Sequence, residues 1–447
     1  MNGMELRRGS ACVVLGFGVT GRAAASYLSE RGLRVVVWED HPTPESMRDA
    51  ESLGVELRPV GENGTRVGEV LDGCSFVLSS PGVAEGHPLL REARLRGVEV
   101  FSDLDLAADD HRKMVAVTGT DGKTTVVTLV REMLVRSGIS AAAVGNIGTP
   151  LVEACRDDAV TTFVVEASSF QLGRSKLFRA DVGAWLNFAP DHLDVHASAE
   201  EYERAKARVW SKPAKPEAVA VANSDDPVVM RNVPDDRRLV TFGSEDGDYR
   251  REGETLIGPA GPICEVGEMK RRLPHDLENA LAAAAIAEAA GATREAVRET
   301  LLHFTGLPHR VEVVCERDGV VWVDDSKATT PHATCAAVRS FSSVVLLAGG
   351  RSKGADLREL RAVVPAIRHL IAFGEAGEAL REAVGDLVPV VVVRGLEEAV
   401  RAAADLAHAG DTVLLSPACS SHDAYPSYVE RGRHFRRLVE ESVGEGT

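Results

Sequence analysis

Short apolar runs alternate with helix-forming stretches along most of the chain, which is the pattern of α/β proteins. A run over residues 11–15 is followed by a helical stretch over residues 22–31 and by a second run over residues 34–38. A third run covers residues 75–79 and ends just before Pro81 and Gly82. This βαβ order predicts a Rossmann-like N-terminal domain over residues 1–103.

A second series of elements begins with the apolar run at residues 114–117. We expect helices over residues 124–137, 200–210 and 278–290, strands at residues 163–165 and 182–186, and turns with short strands over residues 231–267. These elements predict a central domain over residues 104–307 that has a mostly parallel sheet.

The last part of the chain carries five short apolar runs, at residues 320–323, 344–347, 370–373, 390–393 and 412–415. Helical segments alternate with them, so we predict a C-terminal Rossmann-like α/β domain over residues 308–447. The fold class is therefore α/β with three domains.

Composition narrows the class of protein. The chain has 447 residues, 44% of them hydrophobic and 26% charged, and a formal net charge of −16. That charge argues against a nucleic-acid partner. The seven cysteines form no C-x-x-C pair, which argues against zinc sites and a disulfide framework. No long apolar stretch predicts a membrane span, so we expect a cytoplasmic protein that does not associate with membranes.

A loop between a predicted strand and a predicted helix has the composition of a phosphate-binding loop. Its candidate ATP ligands are Gly119, Thr120, Asp121, Gly122, Lys123, Thr124 and Thr125. Glycines let backbone N–H groups face phosphate, the helix N-terminus and Lys123 add positive charge, and the Thr124 hydroxyl suits Mg²⁺. Ala116 stands where the full P-loop pattern has another glycine. The alternative is an ordinary strand–turn–helix connection.

The first βα turn, residues 16–21, reads G-x-G-x-x-G. It suits a pyrophosphate at a helix N-terminus, with Asp40 near a ribose or the next phosphate. A NAD-binding module and a purely structural tight turn are the alternatives.

The central domain carries candidate metal ligands. Glu166 ends a predicted strand, where a carboxylate faces the ligand crevice of an open α/β sheet, and Mg²⁺ ligation is its expected role. A solvated loop acid is the alternative. One loop further on contains Asp191, His192, Asp194 and His196, a cluster typical of a metal or phosphate site. From its own sequence position, Lys206 is best interpreted as a surface lysine.

Three loops of the C-terminal domain follow predicted strands and are basic or rich in small residues. They cover residues 324–329, 349–354 and 416–421, and His309 and Arg310 precede the first of them. Loops that follow parallel strands line one edge of a sheet, where ligands bind. Arginine and lysine there could stabilise the charge of a transferring phosphate.

Together these motifs resemble the Mur ligases, through the whole chain from Gly16 to residues 430–432. Four motifs resemble those of the D-glutamate-adding members: VVEASSFQL at residues 164–172, GLPHRVE at 306–312, DDSKAT at 324–329 and LLSPACSS at 414–421. The resemblance implies an ATP- and Mg²⁺-dependent monomer that adds D-glutamate to UDP-N-acetylmuramoyl-L-alanine through an acyl phosphate.

The resemblance also implies roles for individual residues. The UDP substrate would be held by Gly18, Thr20, Asp40, Ser80, Gly82 and Asn146. Beyond the phosphate loop, ATP would be held by Asn279, His309, Arg310, Asp325 and Lys327. D-Glutamate would be held by Thr329, Lys353, Ser421 and Tyr428. Mg²⁺ would be held by Thr124, Glu166, His192 and Lys206, with Lys206 carbamylated. Lys123, His192, Lys206 and Arg310 would be catalytic.

The chain departs from the family pattern at Asp121, Asp276 and Asp324, where Asn is usual. Each departure adds charge, so each bears on ATP affinity. A related ligase for another amino acid, of the L-alanine-adding or folylpolyglutamate type, is the main alternative function. A nucleotide-dependent dehydrogenase built on residues 16–21 and a non-catalytic nucleotide-binding regulator are the others.

Overall fold

A computed structural model describes residues 8–59, 67–189, 196, 198–211, 215–352 and 354–444 of the chain. The described residues up to 272 form one compact unit together with residues 276–304, and residues 273–275 form a second unit with the described residues from 305 onward. The predicted α/β class is confirmed. Among the helices that the structure describes, none combines the length and apolar composition needed to cross a membrane.

The first sheet has five parallel strands in the order β3-β2-β1-β4-β5. The strands β1–β5 are Ala11–Leu15, Arg34–Glu39, Glu56–Pro59, Cys74–Ser79 and Glu99–Ser102. The helices α1–α4 are Val19–Glu30, Pro44–Ser52, Val67–Leu71 and Pro88–Leu95. Apolar side chains on both faces of the sheet are buried, as parallel sheets covered by helices require.

The second sheet has six parallel strands in the order β11-β10-β9-β6-β8-β7. The strands β6–β11 are Lys113–Thr118, Ala141–Gly145, Thr162–Glu166, Val182–Trp185, Val219–Asn223 and Arg238–Phe242. A small antiparallel sheet is formed by β12–β14, which are Arg250–Glu252, Thr255–Gly258 and Gly261–Glu265. The helices α5–α11 are Lys123–Arg136, Leu151–Ala154, Ser169–Arg174, Ala199–Ala207, Pro227–Arg231, Pro274–Ala290 and Arg294–His303.

The third sheet has six strands in the order β15-β16-β20-β17-β18-β19 and is parallel except for β15. The strands β15–β20 are Glu312–Arg317, Val320–Asp324, Val344–Gly349, Ile367–Phe373, Val390–Val393 and Thr412–Leu415. The helices α12–α15 are Pro331–Val338, Gly377–Val384, Leu396–Leu406 and Tyr428–Gly444. Four 3₁₀ helices, Asp103–Ala107, Arg208–Trp210, Val266–Glu268 and Leu357–Ala366, complete the described secondary structure.

The stretch at residues 231–267 contains the expected short strands, β11–β14, and β11 joins the main parallel sheet. Other details of local structure differ from the predictions. The helix expected to reach residue 210 ends at Ala207 and tightens into a 3₁₀ turn. Strands β3, β5, β7, β10 and β15 were not predicted. The side chains of the antiparallel strand β15 are half-buried or exposed and carry no continuous apolar run.

The first sheet is joined to the second through buried polar residues. The carboxylate of Asp105 accepts hydrogen bonds from the Ser175 hydroxyl (2.7 Å) and from the backbone N–H groups of Lys176, Leu177 and Phe178. The neighbouring Asp103 accepts from Gln171 Nε2 at 2.9 Å. A carboxylate that receives several backbone donors is a strong, directional anchor.

Burial raises the pKa of Asp103 to about 6, from an ordinary value near 3.9. Because the folded chain binds this proton more tightly than the unfolded chain, the contribution to stability is present below about pH 4 and is lost as the pH rises through 6. Asn carries no titratable proton, so we expect Asp103→Asn to remove this pH-dependent loss of stability. At pH 7 the free energy of unfolding should rise by up to roughly 3 kcal/mol.

The measurement is the urea midpoint of wild type and variant from pH 4 to 7, followed by tryptophan fluorescence in dilute solution. Asp109→Asn, at an exposed acid, is the matched control. Wild-type and Asp103→Asn midpoints that stay a constant distance apart across this range would contradict the prediction.

Candidate functional site

The first βα turn is a tight glycine turn. Gly16 has a φ of +85°, and a Cβ on Gly21 would collide with the Gly16 carbonyl oxygen. Helix α1 therefore begins directly after the turn, with Gly18 as its N-cap. A Cβ on Gly18 would meet no atom within 4 Å, so the helix N-terminus is accessible to a ligand.

The predicted UDP-binding residues of this domain lie around the same sheet edge. Asp40 follows β2 and accepts hydrogen bonds from Trp38 Nε1 (3.0 Å) and His87 Nε2 (3.1 Å). The Ser80 hydroxyl, after β4, donates to the Gly16 carbonyl at 2.9 Å. Thr20 lies in the first turn of α1, and Gly82 lies in the turn that contains Ser80. Strands β2, β1 and β4 are adjacent, so this edge is one continuous surface.

The phosphate loop joins β6 to α5. Gly122 caps the helix with a φ of +82°, and a Cβ there would collide with the Asn279 side-chain oxygen. Glycine is therefore required at 122 on two counts, the backbone angle and the close approach of α10. The predicted ATP ligand Asn279 is thereby placed against the loop.

Asn187 holds the phosphate loop from the opposite side. Its Oδ1 accepts from the backbone N–H groups of Thr120 (3.0 Å) and Asp121 (2.9 Å), and its Nδ2 donates to the Asp121 carbonyl at 3.3 Å. One amide thus satisfies three backbone groups that no strand or helix satisfies. Sequence analysis assigned no role to Asn187, because an isolated Asn after a strand has no distinctive signal.

Two lysines converge on the carbonyl oxygen of Gly119. Lys123 Nζ donates to it at 2.8 Å and also to the Thr120 carbonyl at 2.8 Å. Lys206 Nζ donates to it at 2.7 Å and lies 4.5 Å from the centroid of the Tyr202 ring. Lys206 is only 2% exposed, so its interpretation as a surface lysine is wrong.

The predicted metal ligand Glu166 is buried at the end of β8. Its Oε1 accepts from Asn146 Nδ2 at 3.2 Å, whereas its Oε2 has no hydrogen-bond partner among the described residues. The Thr118 hydroxyl, at the end of the neighbouring strand β6, is also buried and also has no hydrogen-bond partner among the described residues. Hard oxygen donors left unpaired are what Mg²⁺ requires, so these residues fit the ion. Thr124 is the second residue of α5, the helix that follows β6.

The loop that contains His192 is largely outside the described residues, together with Asp191 and Asp194. His196 is described, and it is buried. Its Nε2 lies 3.0 Å from the Ser169 hydroxyl, and its ring stacks on Phe170. These contacts account for His196 as a packed, hydrogen-bonded core histidine.

The departure from the family pattern at Asp276 is compensated locally. This carboxylate is buried and accepts from Arg271 Nη2 at 3.0 Å. The extra negative charge is therefore paired with an arginine that precedes α10, as buried charges must be paired.

In the second unit, His309 and Val311 have positive φ values of 60° and 44°, and they flank Arg310. Non-glycine residues in this region are strained, and such strain concentrates at functional sites. His309 Nδ1 lies 2.7 Å from Asp324 Oδ2, and the His309 N–H donates to Glu312 at 3.0 Å. Oxygen and nitrogen atoms of these three side chains lie within 4.8 Å of one another, but the cluster is linked internally by hydrogen bonds.

Asp325, which follows β16, is also buried. It accepts from the Ser416 hydroxyl at 2.8 Å and from the Val311 N–H at 3.2 Å. Burial raises its pKa to about 7. The bond to Ser416 ties the loop after β16 to the loop after β20, its neighbour in the sheet.

The remaining predicted residues of the C-terminal domain lie in or near the same loops. Lys327 Nζ is 5.7 Å from the centroid of the Tyr428 ring. Thr329 is exposed, and Ser421 is buried, with its carbonyl accepting from the Tyr425 N–H at 2.8 Å. Lys353 lies outside the described residues. Arg431 on α15 was missed; it hydrogen-bonds to Ser326, Gly349 and Cys419.

Family models match the chain in three places. A MurD-like N-terminal domain matches residues 10–102, a Mur ligase middle domain matches residues 117–287, and a Mur ligase glutamate ligase domain matches residues 309–419.

Among curated relatives, a UDP-N-acetylmuramoylalanine–D-glutamate ligase of Methylococcus capsulatus is 39% identical, over 98% of this chain and 95% of that protein. The enzyme of the same name from Pseudomonas aeruginosa is 36% identical, over 96% of this chain and 97% of that protein.

Solved structures agree on the fold. A MurF ligase of Thermotoga maritima in complex with ADP has a TM-score of 0.62 at 18% identity, covering 91% of this chain and 95% of its own. A pseudomurein peptide ligase type C of Methanothermus fervidus has a TM-score of 0.61 at 19% identity, covering 97% of this chain and 100% of its own. With curated relatives matched over nearly their whole length, the chain belongs to the Mur ligase family, among its D-glutamate ligases.

Proposed function

We propose that this chain joins D-glutamate to UDP-N-acetylmuramoyl-L-alanine, with conversion of ATP to ADP and phosphate. The choice of substrates rests on the names of relatives that are 36–39% identical over nearly the full chain. The observation that carries ATP use is the phosphate loop, where Lys123 Nζ contacts the Gly119 and Thr120 carbonyls beside the N-terminus of α5.

Three domains fit this function, with boundaries near residues 103 and 307. Family models that match residues 10–102, 117–287 and 309–419 support them. The predicted substrate residues largely follow this division, with most UDP contacts in the first domain, the phosphate loop in the second and the D-glutamate contacts in the third. The exceptions are Asn146, a predicted UDP contact in the second domain, and the predicted ATP ligands His309, Arg310, Asp325 and Lys327 in the third. We further propose that the protein is a monomer and that it acts in the cytoplasm, where ATP and UDP-linked precursors occur.

In the first step, a carboxylate oxygen of UDP-N-acetylmuramoyl-L-alanine attacks the γ-phosphorus of ATP. The bond from the γ-phosphorus to the bridging oxygen breaks, and ADP leaves with that electron pair. Lys123, with Arg310, offsets the negative charge that develops on the phosphoryl oxygens. The loop N–H groups and α5 orient the phosphates.

In the second step, the amine nitrogen of D-glutamate attacks the acyl carbon. The tetrahedral intermediate collapses, the C–O bond to phosphate breaks, and the amine loses its proton to a neighbouring base, for which His192 or a carboxylate is the candidate. Water must be kept out, because an acyl phosphate hydrolyses. The strand-end loops of the C-terminal domain hold the amino acid for this attack.

Mg²⁺ would be held by Thr124, Glu166, His192 and Lys206, the last as its carbamate. When bound, the ion offsets phosphate charge and orients the γ-phosphoryl group. Glu166 Oε2, which has no hydrogen-bond partner among the described residues, supports this assignment.

The test of the proposed function is phosphate release with UDP-N-acetylmuramoyl-L-alanine and, in turn, D-glutamate, L-glutamate and L-alanine. We expect release with D-glutamate only. Lys123→Ala should lower kcat/KM by at least about 100-fold, because a phosphate-stabilising charge is lost. Lys215→Ala, at a half-exposed lysine paired with Asp181, is the control. Release with L-alanine but not D-glutamate would overturn the choice of substrate.

Asp121 places an additional carboxylate in the phosphate loop. We expect Asp121→Asn to lower the KM for ATP about fivefold, because removing a like charge near phosphates is worth ~1 kcal/mol. The effect should shrink as ionic strength rises. Steady-state kinetics at low and high salt provide the measurement, and Asp109→Asn removes the same charge from an exposed position outside the loop. Equal KM values for Asp121→Asn and wild type at low salt would refute the electrostatic effect.

A further inference from the structure

Arg431 is a fully buried arginine in the first turns of α15. Its guanidinium makes five hydrogen bonds in the described part of the chain, and all of them go to carbonyl or hydroxyl oxygens rather than to a carboxylate. Nε donates to the Ser326 hydroxyl at 3.1 Å, Nη1 to the carbonyls of Gly349 (3.3 Å) and Cys419 (3.2 Å), and Nη2 to those of Ser326 (2.9 Å) and Cys419 (3.1 Å).

These acceptors belong to three separate segments at one edge of the sheet. Ser326 follows β16, Gly349 ends β17, and Cys419 follows β20. Strands β16, β20 and β17 are consecutive neighbours and run parallel, so their carboxyl ends meet at this edge. A planar guanidinium can reach all three segments at once, which a lysine ammonium on a flexible stem cannot do with the same geometry.

The same helix turns touch the other polar groups of the site. A Cβ on Gly432 would collide with the His309 ring and come within 2.8 Å of Asp324 Oδ2, so the helix backbone packs directly on that pair. The Tyr428 carbonyl accepts from the Ser326 hydroxyl at 2.8 Å. The start of α15 therefore sets the positions of several loop residues together.

Burying the charge of Arg431 in the protein interior costs free energy. Burial lowers its pKa to about 10, which still leaves it cationic at neutral pH. Its donors are satisfied by carbonyl and hydroxyl oxygens. The negative charges of Asp423 and Asp324 raise its pKa but offset only part of the cost of burying the cation. A fixed positive charge beneath polar loops favours an anion bound above them.

We infer that Arg431 is a positioning residue that fixes the three strand-end loops and provides the positive charge toward which the carboxylates of D-glutamate are drawn. The inference rests on the proposed function, because Ser421 and Thr329 lie in two of these loops. Arg431 acts through the loops and does not itself touch the reacting atoms.

The test compares three substitutions that separate charge from hydrogen bonding. Arg431→Lys keeps the charge, Arg431→Gln keeps some donors without charge, and Arg431→Met keeps neither. We expect Arg431→Met to raise the KM for D-glutamate at least 100-fold, with a smaller fall in kcat and an unchanged KM for UDP-N-acetylmuramoyl-L-alanine. The KM of Arg431→Lys for D-glutamate should be at least tenfold lower than that of Arg431→Gln, yet higher than that of wild type.

Circular dichroism and the thermal midpoint establish that each variant is folded. Should Arg431→Met not fold, Arg431→Lys, Arg431→Gln and Ser326→Ala carry the test. Ser326→Ala removes one acceptor and leaves the charge, so its D-glutamate KM should change less than fivefold.

Two results would overturn the inference while wild type remains active with D-glutamate. One is a D-glutamate KM in Arg431→Gln equal to that in Arg431→Lys, and the other is an equal rise in the KM of the UDP substrate. Wild-type protein that shows no D-glutamate-dependent phosphate release would instead defeat the proposed function itself.

Discussion

The interaction on which this structure depends is hydrogen bonding between one polar side chain and the backbone of a strand-end loop. Loops beyond the ends of parallel strands have N–H and carbonyl groups that neither the sheet nor a helix can satisfy. Leaving such groups buried and unpaired costs several kcal/mol. Asn187 supplies the missing partners to the phosphate loop, and Arg431 supplies them to three loops of the C-terminal sheet. Asp105 does the same where the first two sheets join.

Each of these anchors also sets the electrostatics of its loop. Asn187 is neutral, so it shapes the phosphate loop without competing for the charge of a bound nucleotide. The Lys123 ammonium, which donates to the Gly119 carbonyl, supplies the positive charge there. Arg431 is charged, and the loops that it holds are those predicted to meet an anionic amino acid.

Much of the fold could be predicted from the sequence, because buried parallel strands are short apolar runs. Strands β1, β6 and β8 show this pattern clearly. Strands that lack this signal were missed. β7 is Ala141–Gly145, four alanine or valine residues before a glycine, and it could equally be helical. β15 is a half-buried edge strand. It pairs with β16, and no local sequence pattern reveals that pairing.

The candidate site also contains some residues that could be predicted from the sequence and others that could not. Lys123, Glu166 and Asp325 were predictable, since each follows a strand within a few residues of a glycine, serine or basic residue. The burial of Lys206 was not, because its partner Gly119 lies 87 positions earlier in the chain. Arg431 lies 105 positions from Ser326 and gave no signal as a lone arginine in a helix. Partners that meet only through the tertiary fold are beyond any local pattern.

The central claim is that the loops serve a two-step ligase in which a substrate carboxylate is first phosphorylated. It is tested most directly by the fate of ¹⁸O placed in the carboxylate of UDP-N-acetylmuramoyl-L-alanine. With ATP and D-glutamate present, an acyl phosphate delivers one labelled oxygen to the released phosphate for each amide bond formed, as mass spectrometry of the phosphate would show. Phosphate free of label, accompanied by amide product, would contradict the account.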